Sequence, residues 1–331
     1  KQFLALASDK PLISETADRL DGLARRKDVY VVCGPVHASA VKRLVRGLPR
    51  ANVLVEPVAR NTAPAIALAA VHVASRDPEG VIAVLPSDHH IADVPGFRRQ
   101  LETAAKVASR GFIVTLGIHP SRPDTGYGYI RLGQPLPDEG GARKVEAFVE
   151  KPDAETAKRY LASGQYVWNG GIFVFRADVM LEAFRVHMPE LYAGIERIRA
   201  ALGKRTYSSV LAREFPQLPA ISIDYGVAEK AENIAVVPGD FGWSDVGSFA
   251  AIPEVRPADA QGNVVTGKKS FAVDSRDCVV LGSHRALAVV GMRGVVVVDA
   301  GDAVLVVPKE RSQDVRKVVD ALRAAKLERL L

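Results

Sequence analysis

Two aspartates far apart in the chain stand where a carboxylate could do chemistry. Asp88 lies in Leu85-Pro86-Ser87-Asp88-His89-His90, directly after the apolar run Val81-Ile82-Ala83-Val84, and Asp245 lies in Gly242-Trp243-Ser244-Asp245-Val246-Gly247-Ser248. The carboxyl end of a buried strand is where open α/β sheets bind their ligands. A second carboxylate in a Gly/Ser/Trp turn could close on the first from another part of the fold. Two carboxylates plus substrate phosphates are a usual way of holding Mg²⁺. Each aspartate could equally cap a helix or shape a turn. His89 and His90 follow Asp88, but adjacent residues do not share a face, and no second His/Asp pair has the spacing of a zinc-binding helix. They read as supporting or structural residues, with His89 the one facing the site.

Five other segments have chemistry-bearing patterns. Glu56-Pro57-Val58-Ala59-Arg60-Asn61-Thr62-Ala63-Pro64-Ala65 joins a strand end to a helix start, where unpaired N–H groups suit an anion or a polar base edge. Glu56 could accept from two N–H donors side by side, the pattern that guanine presents; a capped βα turn with a solvated Arg60 is the plainer reading. In Thr125-Gly126-Tyr127-Gly128-Tyr129-Ile130, glycines flank Tyr127. A glycine such as Gly128 in a strand-like run marks either a ligand near the backbone, such as a sugar ring, or a hairpin. Glu150-Lys151 ends a strand before Pro152. On a continuing strand the two side chains would point to opposite sides, Glu150 toward sugar hydroxyls and Lys151 toward a phosphate. Asn169, before Gly170 and Gly171, could offer its amide to hydroxyls or shape a turn. Asp224 reads first as the cap of the helix that follows it.

The elements that must hold these residues alternate. Strands are predicted over 29–33, 53–56, 81–85 and 111–116, and helices over 36–46, 62–75 and 97–109, with Asn61 or Thr62 as a cap. This βαβα rhythm predicts a mainly parallel sheet with helices on both faces. It then loosens into strands over 127–132, 144–150 and 171–175 and helices over 153–162, 179–184, 191–202 and 225–231. Beyond Phe249 short valine-rich strands separated by Gly/Asp/Ser turns predict a small all-β module, a short β-helix or roll, closed by a helix over 312–327. The boundary falls near 253–262, so 1–255 is one domain and 256–331 another.

The chain has 331 residues, 48% hydrophobic and 25% charged, the profile of a globular protein. No apolar run is long enough for a membrane helix, and no signal peptide is visible. Cys33 and Cys278 lack metal-ligand spacing and read as buried free thiols, which fits a reducing cytoplasm. The net charge of +6 is scattered and not interleaved with aromatics. It favours anionic small molecules over nucleic acid.

Taken together and in order, Lys1-Gln2-Phe3-Leu4, the Glu56 to Ala65 stretch, Pro86-Ser87-Asp88-His89, Thr125 to Ile130, Phe148 to Pro152, Trp168 to Phe173, Asp224 to Lys230 and Gly242 to Ser248 resemble the mannose-1-phosphate guanylyltransferase (GDP-mannose pyrophosphorylase) family of sugar nucleotidyltransferases. The resemblance covers nearly the whole chain. It implies a Rossmann-like nucleotidyltransferase domain of the α/β class, with a mixed, mainly parallel sheet, followed by a left-handed β-helix-like domain. It implies GTP plus α-D-mannose 1-phosphate giving GDP-mannose and pyrophosphate, with Mg²⁺ on Asp88 and Asp245. Lys1 and Lys151 would neutralise phosphate oxygens. Gly128, Glu150, Asn169 and Asp224 would bind the sugar, and Glu56 with Arg60, Asn61 and Thr62 the guanine. The family carries a glycine-rich loop, roughly Gly-x-Gly-x-Arg-Leu-x-Pro-Leu-Ser, just before the lysine that opens this numbering, and that loop is expected upstream of Lys1. The fused isomerase of longer relatives is expected to be absent. A homodimer is expected. The rival expectations are another sugar-1-phosphate nucleotidyltransferase, a non-catalytic regulatory subunit that binds the sugar nucleotide, and a basic nucleic-acid binder.

Overall fold

The alternation of valine-rich runs and amphipathic stretches becomes strands and helices largely where it was read. The computed structural model describes residues 1–137 and 140–327. In chain order the strands are β1 (Val31–Cys33), β2 (Val53–Val55), β3 (Val81–Val84), β4 (His90–Ile91), β5 (Ile113–Ile118), β6 (Tyr129–Pro135), β7 (Arg143–Val149), β8 (Tyr166–Arg176), β9 (Ile234–Gly239) and β10 (Trp243–Ser244), then β11 (Val264–Thr266), β12 (Ser270–Val273), β13 (Val279–Leu281), β14 (Leu287–Val290), β15 (Val295–Asp299) and β16 (Val304–Pro308). The helices are α1 (Leu12–Asp18), α2 (Ala38–Leu44), α3 (Thr62–Ala74), α4 (Val94–Ser109), α5 (Ala154–Ser163), α6 (Ala177–His187), α7 (Pro189–Arg199), α8 (Tyr207–Glu214), α9 (Ile252–Val255) and α10 (Val315–Ala324). They form two compact units. One joins Lys1–Leu12 and Asp88–Ala92 to the chain from Ser244 onward; the other holds Ile13–Ser87 and Asp93–Trp243.

The larger unit is built on a six-stranded sheet in the order β3-β8-β5-β9-β7-β6. It is mixed, as expected. β3, β5, β6 and β9 run one way and β7 and β8 the other, so among the described residues β5 and β9 pair in parallel and the other neighbours antiparallel. The expectation of a mainly parallel sheet therefore needs correction at the level of hydrogen-bonded neighbours. The cause is β8, which is longer than the predicted 171–175 strand and inserts antiparallel between β3 and β5. Its backward extension takes Trp168, Asn169 and Gly170 into the sheet rather than into a turn, with Gly171 at φ 66°. β1 and β2 pair in parallel as a separate ribbon. β5 is buried along its whole length, as a strand covered on both faces must be. The core joins α3, α6, α7 and α8 to Ile113, Phe173, Phe175 and Ile234 of the sheet. The predicted 225–231 helix is instead one wide π-type turn, Asp224–Ala228.

The smaller unit contains the expected β-helix-like stack. β11, β13 and β15 pair in parallel with Val264, Val279 and Val296 in register, and β12 pairs in parallel with β14. β16 adds an antiparallel edge. Alternation along the strands divides their side chains. Val264, Val279 and Val296 pack with Leu6, Leu12, Val246, Ile252 and Val255, while Val280 and Val297 join Cys278, Val289 and Val295. The closing helix is shorter than predicted, because Lys309–Asp314 is a 3-10 segment ahead of α10.

Asn263 ties the first coils together. It is 2% exposed, and its amide donates to Asp259 Oδ2 (3.0 Å) and the Ser275 carbonyl (2.9 Å) and accepts from the Cys278 N–H (3.0 Å). Asn263→Ala strips partners from buried backbone groups and should cost about 2–4 kcal/mol. A lowered urea midpoint at unchanged slope checks this, and an unchanged midpoint contradicts it.

Candidate active site

The segment after β2 delivers Glu56. Its N–H donates to the Cys33 carbonyl (3.0 Å), which extends the β1–β2 pairing by one bond. Glu56 Oε2 is buried without a hydrogen-bond partner, and burial pushes the carboxyl above its ordinary range. Such an acceptor fits an N–H donor from a ligand. Its three companions are used otherwise. Asn61 caps α3 by accepting from the Thr62 N–H (2.9 Å), at φ 67°, a left-handed conformation that non-glycine residues rarely take. The Arg60 guanidinium donates to the Pro216 carbonyl, and Thr62 Oγ1 accepts from the Ile223 N–H (2.8 Å). Arg60, Asn61 and Thr62 thus fasten the turn that presents Glu56, and the picture of a solvated Arg60 is corrected.

Gly128, Glu150, Lys151, Asn169 and Asp224 come together in the same unit, with Asn169 at the centre. Its N–H donates to the Gly128 carbonyl (2.8 Å). Its Oδ1 accepts from Thr115 Oγ1 (3.0 Å) and the Gly171 N–H (3.1 Å), and its Nδ2 donates to Asp224 Oδ1 (2.8 Å). A backbone N–H can only donate, so the amide orientation follows from Gly171. Asp224 is the first residue of the π-type turn, and the cap position ahead of it is taken by Ile223. Its carboxylate serves Asn169, which corrects the cap reading.

Glu150 and Lys151 do not diverge as neighbours on a strand would. β7 ends at Val149, and Lys151 takes φ 49°, which folds its Nζ back to 2.7 Å from Glu150 Oε1. The Glu150 side chain is only 9% exposed. Burial raises its pKa, Asp224 and Glu229 add to the rise, and the Lys151 hydrogen bond opposes it. The bond to Glu150 in turn raises Lys151. Gly128 shows why glycine is needed here: a Cβ would lie 2.4 Å from Glu150 Oε2 and 3.4 Å from Asn169 Cβ. Tyr127 packs edge-on against Trp168 and Trp243, with ring centroids 5.0 and 5.3 Å apart. The Arg122 guanidinium lies 5.4 Å from the Trp168 ring. Sequence reasoning passed over Thr115 and Glu229. Thr115 did leave a signal, a lone hydroxyl in the apolar run Ile113-Val114-Thr115-Leu116, since a buried hydroxyl needs a partner.

Lys1, Asp88 and Asp245 meet in the smaller unit. Lys1 Nζ lies 2.9 Å from Asp88 Oδ2 and also donates to the Asp245 backbone carbonyl. β4 pairs with β10, which brings the residues flanking those strands, Asp88 and Asp245, into one neighbourhood. The Asp245 turn is closed by the Gly247 N–H on its Oδ1 (3.1 Å). Val246 sits at φ 47° with its side chain 2% exposed. A β-branched residue holds that backbone only where packing compels it, and here the Leu6–Leu12–Ile252 core does so. The Lys1 ammonium, with oxygens of both aspartates around it, is a stand-in for a cation. Oxygen donors suit a hard ion such as Mg²⁺. Among the described residues no group of three or more His, Cys, Asp or Glu could hold a metal ion, so a metal here would take its remaining ligands from phosphate oxygens or water. No helix among the described residues is long and apolar enough to cross a membrane.

The nucleotidyl transferase family model matches residues 1–262, and a mannose-phosphate isomerase/GMP-like β-helix model matches residues 259–322. Mannose-1-phosphate guanylyltransferase of Klebsiella pneumoniae is 40% identical over 327 residues, 98% of this chain and 69% of its own length. The enzyme of the same name from Escherichia coli gives the same identity and coverage. The chain belongs to the mannose-1-phosphate guanylyltransferase family. A solved structure from Thermus thermophilus, named as a mannose-1-phosphate geranyltransferase, superposes on it with a TM-score of 0.88 at 40% identity, covering 98% of this chain and 92% of that one. The alignment to the guanylyltransferases spans almost the whole chain, so it runs through the Glu56 turn, the Asn169 cluster and the Asp88–Asp245 pair alike.

Glu56 yields a test that needs no substrate. An acid whose folded pKa lies above its ordinary 4.5 contributes stability that is full below that value and is lost as the pH rises through the raised one. Glu56→Gln cannot ionise, so its melting temperature should exceed the wild type's near pH 7, with the gain vanishing at about pH 4. Calorimetry at the two pH values decides it; a Gln variant less stable near neutrality contradicts the picture of an unpartnered carboxylate.

Proposed function

We propose that this chain transfers a guanylyl group from GTP to α-D-mannose 1-phosphate, giving GDP-mannose and pyrophosphate. The observation that carries this reading is the convergence of the Asp88 carboxylate and the Asp245 turn on one ammonium, in a chain 40% identical over 98% of its length to proteins named mannose-1-phosphate guanylyltransferase. A phosphate oxygen of the sugar phosphate attacks the α-phosphorus of GTP in line. The bond from that phosphorus to the oxygen bridging it to the β-phosphorus breaks, and pyrophosphate leaves with the electron pair. The attacking oxygen is already anionic near neutral pH, so the chain supplies position and charge rather than a general base.

Lys1 and Lys151 neutralise phosphate oxygens as compact point charges. Asp88 and Asp245 would hold Mg²⁺, which when bound supplies charge neutralisation among the phosphates. The open Oε2 of Glu56 accepts from the guanine edge, with Arg60, Asn61 and Thr62 holding its turn. Glu150, Asn169 and Asp224 take mannose hydroxyls, and Gly128 keeps the backbone clear of Glu150. Residues 1–255 carry this chemistry and 256–331 the β-helix-like domain. We take the working form to be a homodimer in the cytoplasm. The edge strand β16, which exposes Val304 and Val306, and the free thiols Cys33 and Cys278 support this. Light scattering that finds only a monomer removes the dimer.

The test is a steady-state panel of GTP, ATP, UTP and dTTP against mannose and glucose 1-phosphates. GTP with mannose 1-phosphate should lead in kcat/KM by about 10⁴-fold, the scale on which a site built to hydrogen-bond its substrate rejects an analogue lacking that match. A different leading pair makes this another sugar nucleotidyltransferase; tight GDP-mannose binding without turnover makes it a regulatory subunit. Gly128→Ala should raise the KM for mannose 1-phosphate about tenfold by displacing the Glu150 carboxylate, and an unchanged KM removes Glu150 from the sugar site.

A further inference from the structure

Arg256 stands at the end of α9 and holds the opening segment of the chain. Its Nε donates to the Leu6 carbonyl (2.6 Å), and its Nη2 donates to the carbonyls of Ala5 (2.9 Å) and Ser8. Its own N–H closes the last turn on the Ile252 carbonyl (2.9 Å). A planar guanidinium holds its donors in a fixed fork that suits several carbonyls at once; a lysine ammonium has no such fixed geometry.

The segment needs an outside anchor. Residues 1–11 lie in no helix or strand among the described residues, and backbone bonds run from Leu4 N–H to the Lys1 carbonyl (2.9 Å) and from Leu12 N–H to the Leu4 carbonyl (3.2 Å). Leu6 and Leu12 are buried with Ile252, Val255 and the valine column Val264, Val279 and Val296. The residue that opens this segment, Lys1, is the one whose ammonium meets Asp88 and Asp245.

We infer that Arg256 is a positioning residue for guanylyl transfer: by clamping Ala5, Leu6 and Ser8 onto the β-helix unit it sets the Lys1 ammonium against Asp88 and Asp245. This rests on the reading given under Proposed function. It makes the β-helix unit the platform for the phosphate chemistry and not a separate appendage.

The test uses the full chain with R256M and R256K, the latter keeping the charge and losing the fork. Hydrogen exchange of residues 1–12 is read without substrates, and kcat and KM are read for both substrates. R256M should exchange faster within residues 1–12 alone. Its kcat should fall about tenfold, the loss expected from one charge-assisted hydrogen bond, while the KM for mannose 1-phosphate stays unchanged. R256K should fall between R256M and the wild type, and it carries the test if R256M does not fold. Unchanged exchange in residues 1–12, faster exchange with unchanged kcat, or exchange accelerated across the whole chain each overturn the clamp. A wild type that makes no GDP-mannose overturns the guanylyl-transfer reading instead, because the exchange result does not depend on it.

Discussion

Oxygens from two acidic turns are held at one point most readily by a positive charge that answers both, since unpaired negative groups brought near each other protonate or separate. Here the Lys1 ammonium supplies that charge, binding Asp88 through its carboxylate and Asp245 through its carbonyl. Much of the smaller unit is arranged around this constraint. The β4–β10 pairing brings the two turns together. The core around Leu6, Leu12 and Ile252 locks Val246 into a left-handed backbone. The same core holds the irregular segment that carries Lys1. If these turns form the proposed cation site, oxygen ligands and cationic charge stand in place before any phosphate arrives, the preorganisation that nucleotidyl transfer needs.

The larger unit solves a different problem, keeping half-buried carboxylates oriented. Glu150 is almost covered, and the folded-back Lys151 opposes the rise in its pKa that burial causes. Asp224 receives the Asn169 amide, whose direction is set from behind by Thr115 and Gly171. Glu56 is left with an unanswered acceptor. Each arrangement costs stability that an amide or an apolar residue would not, as sites built for ligands commonly do.

Much of this was legible in the sequence. Most of the strands and helices, the β-helix-like tail, and the segments around Glu56, Asp88, Glu150, Asn169 and Asp245 follow from apolar periodicity and turn chemistry, whereas β9, α1 and α8 were not among the predicted elements. What escaped depends on contacts between distant residues. Arg60 and Thr62 carry no local sign that their partners are Pro216 and Ile223. The need for glycine at 128 lies in the Glu150 carboxylate, which follows β7 and is distant in sequence. That Lys1–Leu12 packs with the chain beyond Ser244 could not be read from a composition shift near 253–262. The antiparallel insertion of β8 was hidden because a buried apolar strand looks the same whichever way it runs.

The central claim, that Asp88 and Asp245 act as one cation site, is tested most directly by a double-mutant cycle. Asp88→Asn, Asp245→Asn and the double variant would be compared in kcat at saturating substrates and in the thermal shift produced by Mg²⁺ with nucleotide. Residues that work as a unit are strongly non-additive. The double variant should therefore lose no more than about as much as either single one, and all three should lose the Mg²⁺-dependent shift. Additive losses, or a single variant that keeps both turnover and shift, would contradict it.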